Sequence, residues 1–153
     1  MNKHETIIAA FYEAFARRDS SAMVSQYADN VQFTDPVFPN LVGQQAKDMW
    51  RMLCGKSKDL KVTVSDIVAS DNSGSAKWEA WYTFGKTGRK VHNTVHAEFE
   101  FQNGKIVRHT DTFSFWKWSS QALGPIGMVL GWSPLLLGKV RKNAKSSLLS
   151  FKS

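Results

Sequence analysis

His109 and Asp111 are the two residues whose types and spacing most directly indicate chemistry. Together with Val107, Phe113 and Phe115 they occupy every second position of one segment. In a strand these side chains share one face, and the Cα atoms of His109 and Asp111 lie about 6.7 Å apart. An imidazole and a carboxylate at that separation can act as a base and its orienting group in a cavity. The same pattern also describes a hydrogen-bonded polar pair buried in a core, and the residue types leave both interpretations open.

Asp35 is a further candidate because it stands among apolar residues. It shares alternate positions with Val31 and Phe33 and directly precedes Pro36. An aspartate at that place is commonly a turn residue, and the residues alone favour this interpretation. The functional alternative is a carboxylate at the wall of a pocket.

The remaining reactive residue types indicate neither a metal site nor a cofactor site. His92 and His96 lie about 13 Å apart if they share one face of a strand, whereas a zinc ion needs both nitrogens at about 2.1 Å. Cys54 is the only cysteine, which excludes a disulfide scaffold. The sequence contains no glycine-rich phosphate loop and no nucleophile elbow. We therefore expect no metal and no cofactor.

Three helices that would position these side chains are predicted before the main run of strands. The first begins at a capping box formed by Asn2 and Glu5. The second is short and carries Met23 and Tyr27 on one face. The third ends at Gly55. Apolar residues at helical spacing define the first and third helices: Ile8, Phe11 and Phe15, and Ala46, Met49, Trp50 and Leu53.

A short strand lies between the second and third helices, and four longer strand-like segments follow the third. Apolar residues change parity near Ser65-Asp66, which indicates a β-bulge. Asn103-Gly104 indicates a hairpin turn. The last strand is predicted to run from about Lys105 to Trp118, with aromatic residues on both faces of its end. Helices followed by antiparallel strands favour an α+β fold in which helices cover one face of a curved sheet.

The net charge of +7 is unevenly distributed along the 153 residues. Residues 1–111 hold 14 basic and 13 acidic residues, a net charge of +1, and the remaining residues hold six basic residues and no acidic one. A nearly neutral body does not favour a nucleic-acid-binding face. The chain length suits one domain, and we place its limits at residues 1–119, with an appended tail at 120–153.

The tail is predicted to be a glycine-broken apolar connector followed by a basic amphipathic helix. The helix begins at Pro134, and its apolar residues recur at helical spacing with the cations between them. It could pack on its own domain, on a second subunit of a homodimer, or on an anionic membrane. The first two positions are favoured. The sequence shows neither a secretory signal nor a spanning helix, so we expect a cytoplasmic protein.

Five short segments share a pattern with one known family. They are Phe11-Tyr12-Glu13-Ala14-Phe15, Arg18-Asp19, Tyr27-Ala28-Asp29-Asn30-Val31, Phe33-Thr34-Asp35-Pro36 and His109-Thr110-Asp111. Over about residues 5–120 the chain resembles the SnoaL-like branch of the nuclear-transport-factor-2-like superfamily. The resemblance implies a cone-shaped curved sheet packed on three helices, with a deep apolar pocket and a homodimeric assembly.

The resemblance also implies roles for particular residues. The superfamily includes steroid isomerases, polyketide cyclases, epoxide hydrolases and dehydratases. Asp35 is similar to the isomerases' catalytic aspartate, a base that shuttles a proton beside a carbonyl. The positions of the isomerases' two oxyanion donors hold Phe11 and Ala97, so both of those donors are missing. His109 and Asp111 fall where cyclase-like members place acid/base groups.

The expected function is the binding of a small apolar ligand that bears a carbonyl group. If the protein is an enzyme, we expect proton transfer of the isomerase, cyclase or dehydratase type. His109 would be the acid or base, Asp111 its orienting group and Asp35 a second carboxylate. The expected lining residues are Phe11, Phe15, Tyr27, Trp50, Trp78, Tyr82, Asn93, Phe99 and Phe113. The alternative is a non-catalytic binding or dimerisation domain, which a filled interior would favour.

Overall fold

The computed structural model describes residues 1–56 and 58–151. In that part of the chain, six helices and six strands follow one another in an α+β order. The helices are α1 (Lys3–Ala16), α2 (Ser20–Val24), α3 (Gln44–Lys56), α4 (Phe115–Leu123), α5 (Pro125–Leu130) and α6 (Pro134–Ser150). The strands are β1 (Tyr27–Thr34), β2 (Leu41–Val42), β3 (Lys61–Ala69), β4 (Ser73–Phe84), β5 (Arg89–Gln102) and β6 (Lys105–Thr112).

All six strands form one curved, open sheet in the order β2-β1-β6-β5-β4-β3. The four long strands pair antiparallel in chain order, as predicted. β1 pairs parallel with β6, so the sheet is mixed. The predicted bulge is confirmed, because the β3–β4 register shifts between Ser65 and Val68 and Asp66 adopts a φ of 55°. The predicted α+β class, with helices on a curved sheet, is confirmed.

The main apolar core lies between one face of the sheet and α1 to α3. α1 begins at the predicted capping box, in which the Asn2 side chain accepts the Glu5 N–H and the Glu5 side chain accepts the Asn2 N–H. Its buried face contributes Ile8, Phe11 and Phe15 to the core. Along β5 the burial alternates, so every second side chain points to this core.

Two predicted element boundaries are wrong. Tyr27 lies in β1 and not on the second helix, because α2, capped by Asp19, makes little more than one turn and ends at Val24. The last strand ends at Thr112 and not at Trp118, because Ser114 caps α4 by accepting the Lys117 N–H. The expected aromatic faces at the strand end are therefore the faces of a helix.

α4 covers the edge that β6 leaves open on β5. The pairing of β5 with β6 begins only at His96, so the preceding residues of β5 lack a strand neighbour on that side. The Gln121 side-chain amide fills this place by accepting the His92 N–H and donating to the His92 carbonyl. One glutamine thus forms the two hydrogen bonds that a neighbouring strand would supply.

The tail packs on its own chain. α6 begins at Pro134, as predicted, and its buried Leu148 joins the main core together with Ala144. The Arg141 Nε–H donates to the Pro36 carbonyl across 2.9 Å. The expected connector contains α5, and the expected domain limit at residue 119 falls inside α4. Within the described residues, no helix has the length and apolarity needed to cross a bilayer.

Candidate functional site

A cavity of about 580 Å³ lies between the sheet, α3 and α6. Of the residues predicted for a site, eight line it: Phe15, Asp35, Trp50, Trp78, Tyr82, Asn93, Asp111 and Phe113. The other four are buried behind this wall: Phe11, Tyr27, Phe99 and His109. The sequence pattern therefore identified the right face of the sheet and did not resolve which side chains reach the cavity.

A chain of hydrogen bonds joins the two indole groups at the wall through the interior. The Trp50 Nε1–H donates to the Tyr27 hydroxyl at 2.8 Å, and that hydroxyl lies 2.7 Å from His109 Nδ1. His109 Nε2 lies 2.8 Å from Asp111 Oδ1. The Trp78 Nε1–H reaches the same carboxylate oxygen at 3.4 Å. The predicted meeting of His109 and Asp111 is therefore direct.

The proton positions in this chain follow from the number of donors and acceptors. Since the Tyr27 hydroxyl accepts from Trp50, its own proton is directed to His109 Nδ1. The ring proton then resides on Nε2 and is donated to Asp111. With a neutral imidazole and an ionised carboxylate, every donor in the chain has an acceptor. Burial raises the pKa of Tyr27 well above its usual value, which keeps this hydroxyl protonated.

His109 has no contact with solvent because aromatic rings surround it. Phe99 and Phe33 lie 4.4 Å and 5.0 Å from its ring centroid, and Trp50 stacks on it at 6.0 Å. Asp111 is the member of the pair that lines the cavity. In this geometry the histidine supports the carboxylate, whereas the sequence had suggested the reverse.

Asp35 combines the two interpretations that the sequence left open. Its Oδ1 accepts the Val37 and Phe38 N–H groups at 2.8 Å and 2.6 Å, as a turn aspartate does. The same carboxyl group lines the cavity. Burial raises its pKa to about 7, and Asp111 contributes to the rise; the two backbone N–H groups and Arg141 oppose it. Among the described residues, no side chain or backbone group donates to Oδ2.

Tyr82 and Asn93 place further polar groups at the cavity wall. They lie on the inward face of β4 and β5. The Trp118 Nε1–H donates to the Tyr82 hydroxyl at 2.8 Å. Burial raises the pKa of Tyr82, so the hydroxyl keeps its proton. That proton is left for another acceptor, because the indole can only donate.

Sequence reasoning missed the part of the wall that α4 and α6 supply. Trp118 and Leu123 line the cavity from α4, and Val140, Ala144 and Ser147 line it from α6. The signal was present in the apolar stripe of the basic helix. The stripe showed that this face was buried, but not that it closed a cavity.

Tyr12 lies one position from the place that the resemblance assigns to an oxyanion donor. Its hydroxyl is fully buried and has no hydrogen-bond partner among the described residues. Its ring packs against Trp78 and Phe99, behind the cavity wall. Burial, and after it the Asp111 charge, raises the pKa of Tyr12 well above its usual value. In the described residues, no group of three or more His, Cys, Asp or Glu side chains could hold a metal ion.

The sequence from within α1 to within β6 matches a known family. A model described as the SnoaL-like domain matches residues 8–109, which is about two thirds of the chain. The chain belongs to the SnoaL-like family. The matched segment of this SnoaL-like domain ends at His109, before Asp111 and before α4, α5 and α6. No curated protein matches the sequence.

Solved structures similar to this SnoaL-like domain carry several descriptions. A candidate polyketide cyclase from Xanthomonas campestris pv. campestris has a TM-score of 0.65 and 24% identity, covering 78% of this chain and 96% of its own. An LEH-like epoxide hydrolase from M. tuberculosis has a TM-score of 0.67 and 19% identity, covering 86% and 96%. A protein from Catenulispora acidiphila with a ketosteroid isomerase-like fold, in complex with trimethylamine, has a TM-score of 0.67 and 12% identity, covering 78% and 93%. At these identities the likeness establishes the fold.

Proposed function

We propose that this SnoaL-like domain binds a small apolar molecule with a carbonyl group and moves a proton on the carbon beside that carbonyl. The observation that carries the proposal is Asp35, a carboxyl group at a cavity wall with a pKa of about 7. A group with that pKa can both take and return a proton near neutral pH. The aromatic and aliphatic lining suits an apolar molecule.

Asp35 is the proposed base. Its Oδ1 is held by the Val37 and Phe38 N–H groups, which fixes the orientation of the carboxyl plane. This leaves Oδ2 to take a proton from carbon. The charge of Asp111 disfavours the charged form of Asp35. Asp35 therefore keeps the proton that it has taken until the proton returns to another carbon of the ligand.

Tyr82 and Asn93 are the proposed partners of the ligand oxygen. Removal of a proton beside a carbonyl places negative charge on that oxygen, and hydrogen-bond donors aimed at it lower the barrier. The Tyr82 hydroxyl accepts from Trp118 and has its own proton to donate. The Asn93 amide lies at the same wall. These groups would replace the donors that are missing at Phe11 and Ala97.

His109 is a positioning residue in this proposal, and Asp111 is the charged group at the wall. The hydrogen bond from Nε2 fixes the Asp111 carboxylate, and Tyr27 fixes the ring from the other side. The ionised Asp111 then acts on Asp35 through its charge. His109 thus takes the orienting role first expected for Asp111, and the proposed acid/base role lies with Asp35.

Exchange of α-protons tests the proposal without knowledge of the natural substrate. The probe is 2-tetralone, a small apolar ketone, in deuterated buffer, with loss of its α-proton signals followed by NMR. We expect catalysed exchange that Asp35→Asn lowers by about 100-fold or more. Tyr82→Phe should lower it by about tenfold or more, because one donor to the developing oxyanion is lost.

The matched control is Asp71→Asn, which removes a carboxylate at an exposed turn outside the cavity. This variant should keep the wild-type exchange rate. Equal rates in the wild type and in Asp35→Asn would contradict the assignment of Asp35. If 2-tetralone quenches tryptophan fluorescence by binding and no catalysed exchange is detected, the chain is a binding domain, which is the alternative function.

A further inference from the structure

α5 packs on α4 through glycine and leaves its large side chains in solvent. A Cβ atom added at Gly127 would lie 1.9 Å from the Ser119 carbonyl oxygen, so the two helix backbones are in close contact there. A Cβ atom added at Gly131 would likewise overlap the Ser119 Oγ. A helix that serves only as packing would turn its apolar side chains inward. α5 does the opposite.

The apolar residues on the outside of α5 and on the turn after it lie close together in the sequence. Ile126, Met128 and Val129 are each more than half exposed. Trp132 is 75% exposed and Leu135, at the start of α6, is 86% exposed. Large exposed apolar side chains at adjacent positions mark a surface that contacts another molecule.

The outward face of α6 adds cations to this patch. Leu135, Lys139, Lys142 and Leu149 follow one another at helical spacing and are all exposed. Lys145 lies beside them. The opposite face of the same helix lines the cavity and joins the core. We call the outward residues of α5, Trp132 and the outward face of α6 the tail surface.

The charge of the tail surface indicates which kind of partner it binds. After Asp111 the sequence contains six basic residues and no acidic residue. A symmetric contact between two copies would place the same patch against itself, with cations facing cations. An anionic surface with hydrocarbon beneath it offers partners both for the cations and for the apolar side chains of the patch. Of such partners, a phospholipid bilayer also suits an exposed tryptophan, which prefers the headgroup region.

We propose that the tail surface binds the surface of an anionic phospholipid bilayer. Ile126, Val129, Trp132 and Leu135 enter the interface, and the lysines of α6 pair with lipid phosphates and carboxylates. α5 and α6 lie along the bilayer with their outward faces toward it. This inference rests on the outward face of the tail and is independent of the chemistry proposed for the cavity.

Vesicle co-sedimentation of the full chain tests the inference. The vesicles contain phosphatidylcholine alone or three parts of it to one part of phosphatidylserine. We expect binding only to the mixed vesicles, and weakening by salt. Replacing Lys139, Lys142 and Lys145 together by glutamine should lower the partition constant by about tenfold or more. The matched control replaces Lys3, Lys61 and Lys77, exposed lysines of the body, and should retain binding within about twofold.

The apolar half of the surface has its own matched pair. Val129→Ser should weaken vesicle binding, whereas Val68→Ser should not, although the two valines are 65% and 62% exposed. The tryptophan emission of the wild type should shift to the blue on mixed vesicles, and Trp132→Phe should remove that shift. Circular dichroism verifies that each variant is folded.

Three results would overturn the inference. Equal loss of binding in the two triple-lysine variants would show general attraction of a cationic protein. Absence of binding to mixed vesicles would exclude the bilayer. A wild-type oligomer in light scattering that Val129→Ser dissociates, without vesicle binding, would show that the tail surface contacts protein.

Discussion

Replacing Asp35 by asparagine should change how the stability of the protein depends on pH. Asparagine keeps the side-chain oxygen that accepts the Val37 and Phe38 N–H groups. It replaces Oδ2 with an amide nitrogen, which does not titrate between pH 4 and pH 8. The difference between the two proteins therefore isolates the free energy of ionising one partly buried carboxyl group.

The magnitude follows from the rise of the Asp35 pKa from 3.8 to about 7. The folded protein binds this proton more tightly than the unfolded chain does. The resulting stabilisation is complete below pH 4 and is lost as the pH rises to 7. At about 1.4 kcal/mol per pH unit the loss amounts to about 4 kcal/mol. Because Asp35 is only partly buried, we expect about 2–4 kcal/mol.

Urea unfolding at pH 4 and at pH 8 measures this difference. At pH 4 the wild type and the Asp35→Asn variant should have similar free energies of unfolding. At pH 8 the variant should be more stable by about 2–4 kcal/mol. The control is Asp71→Asn, whose difference from the wild type should be the same at both pH values, since Asp71 is exposed.

A direct titration makes the same test by a second route. The carboxyl carbon of Asp35, followed by NMR, should titrate near pH 7, well above an ordinary aspartate at about 4. A midpoint near 4 would refute the argument that burial and Asp111 hold the proton on Asp35. So would a stability difference that changes by less than about 0.5 kcal/mol between pH 4 and pH 8.

Four further substitutions test the packing and hydrogen bonding of the fold. Gly127→Ala should lower the free energy of unfolding by about 1–3 kcal/mol, because the added Cβ would overlap a backbone carbonyl. In the matched control, Gly138→Ala, the added Cβ meets no neighbour, and the free energy of unfolding should rise by up to about 1 kcal/mol. Tyr12→Phe should raise the free energy of unfolding by about 1 kcal/mol, because it removes a buried hydroxyl without a hydrogen-bond partner. A lower free energy of unfolding in this variant would show that the hydroxyl does have a partner. Gln121→Leu should speed hydrogen exchange of the His92 amide about tenfold, and unchanged exchange would show that α4 does not protect the open edge of β5.

The fold could be predicted where local physical chemistry decides the structure. Asn2 and Glu5 are three residues apart at a helix start, and the capping box needs only that spacing. The parity change at Ser65-Asp66 required an extra residue in the strand. The end of β6 could not be read in this way. Aromatic residues continue the alternation beyond Thr112, and only the Ser114 cap shows that a helix has begun.

The sequence predicted which face of the sheet carries the site residues, but not which of their side chains reach the cavity. Alternation along β6 placed His109 and Asp111 on the interior side, because strand geometry allows no other outcome. Which of them reaches the cavity depends on Phe33, Phe99 and Trp50, which come from three other elements and surround the imidazole. That α6 lines the cavity could not be predicted for the same reason, because a stripe of apolar residues shows that a helix face is buried but not what it packs against.

The cavity-lining face of α6 affects the size of the ligand that the cavity can accept. Val140, Ala144 and Ser147 determine how much room the cavity has on one side. They lie beyond residue 109, where the segment shared with the family ends. None of them takes part in the hydrogen-bond chain through Tyr27 and His109. A larger or smaller side chain on this helix would therefore alter the size of an accepted ligand while Asp35 and the sheet stay as they are. Residues of α6 would then set the size of the ligand, while the proposed base stays the same.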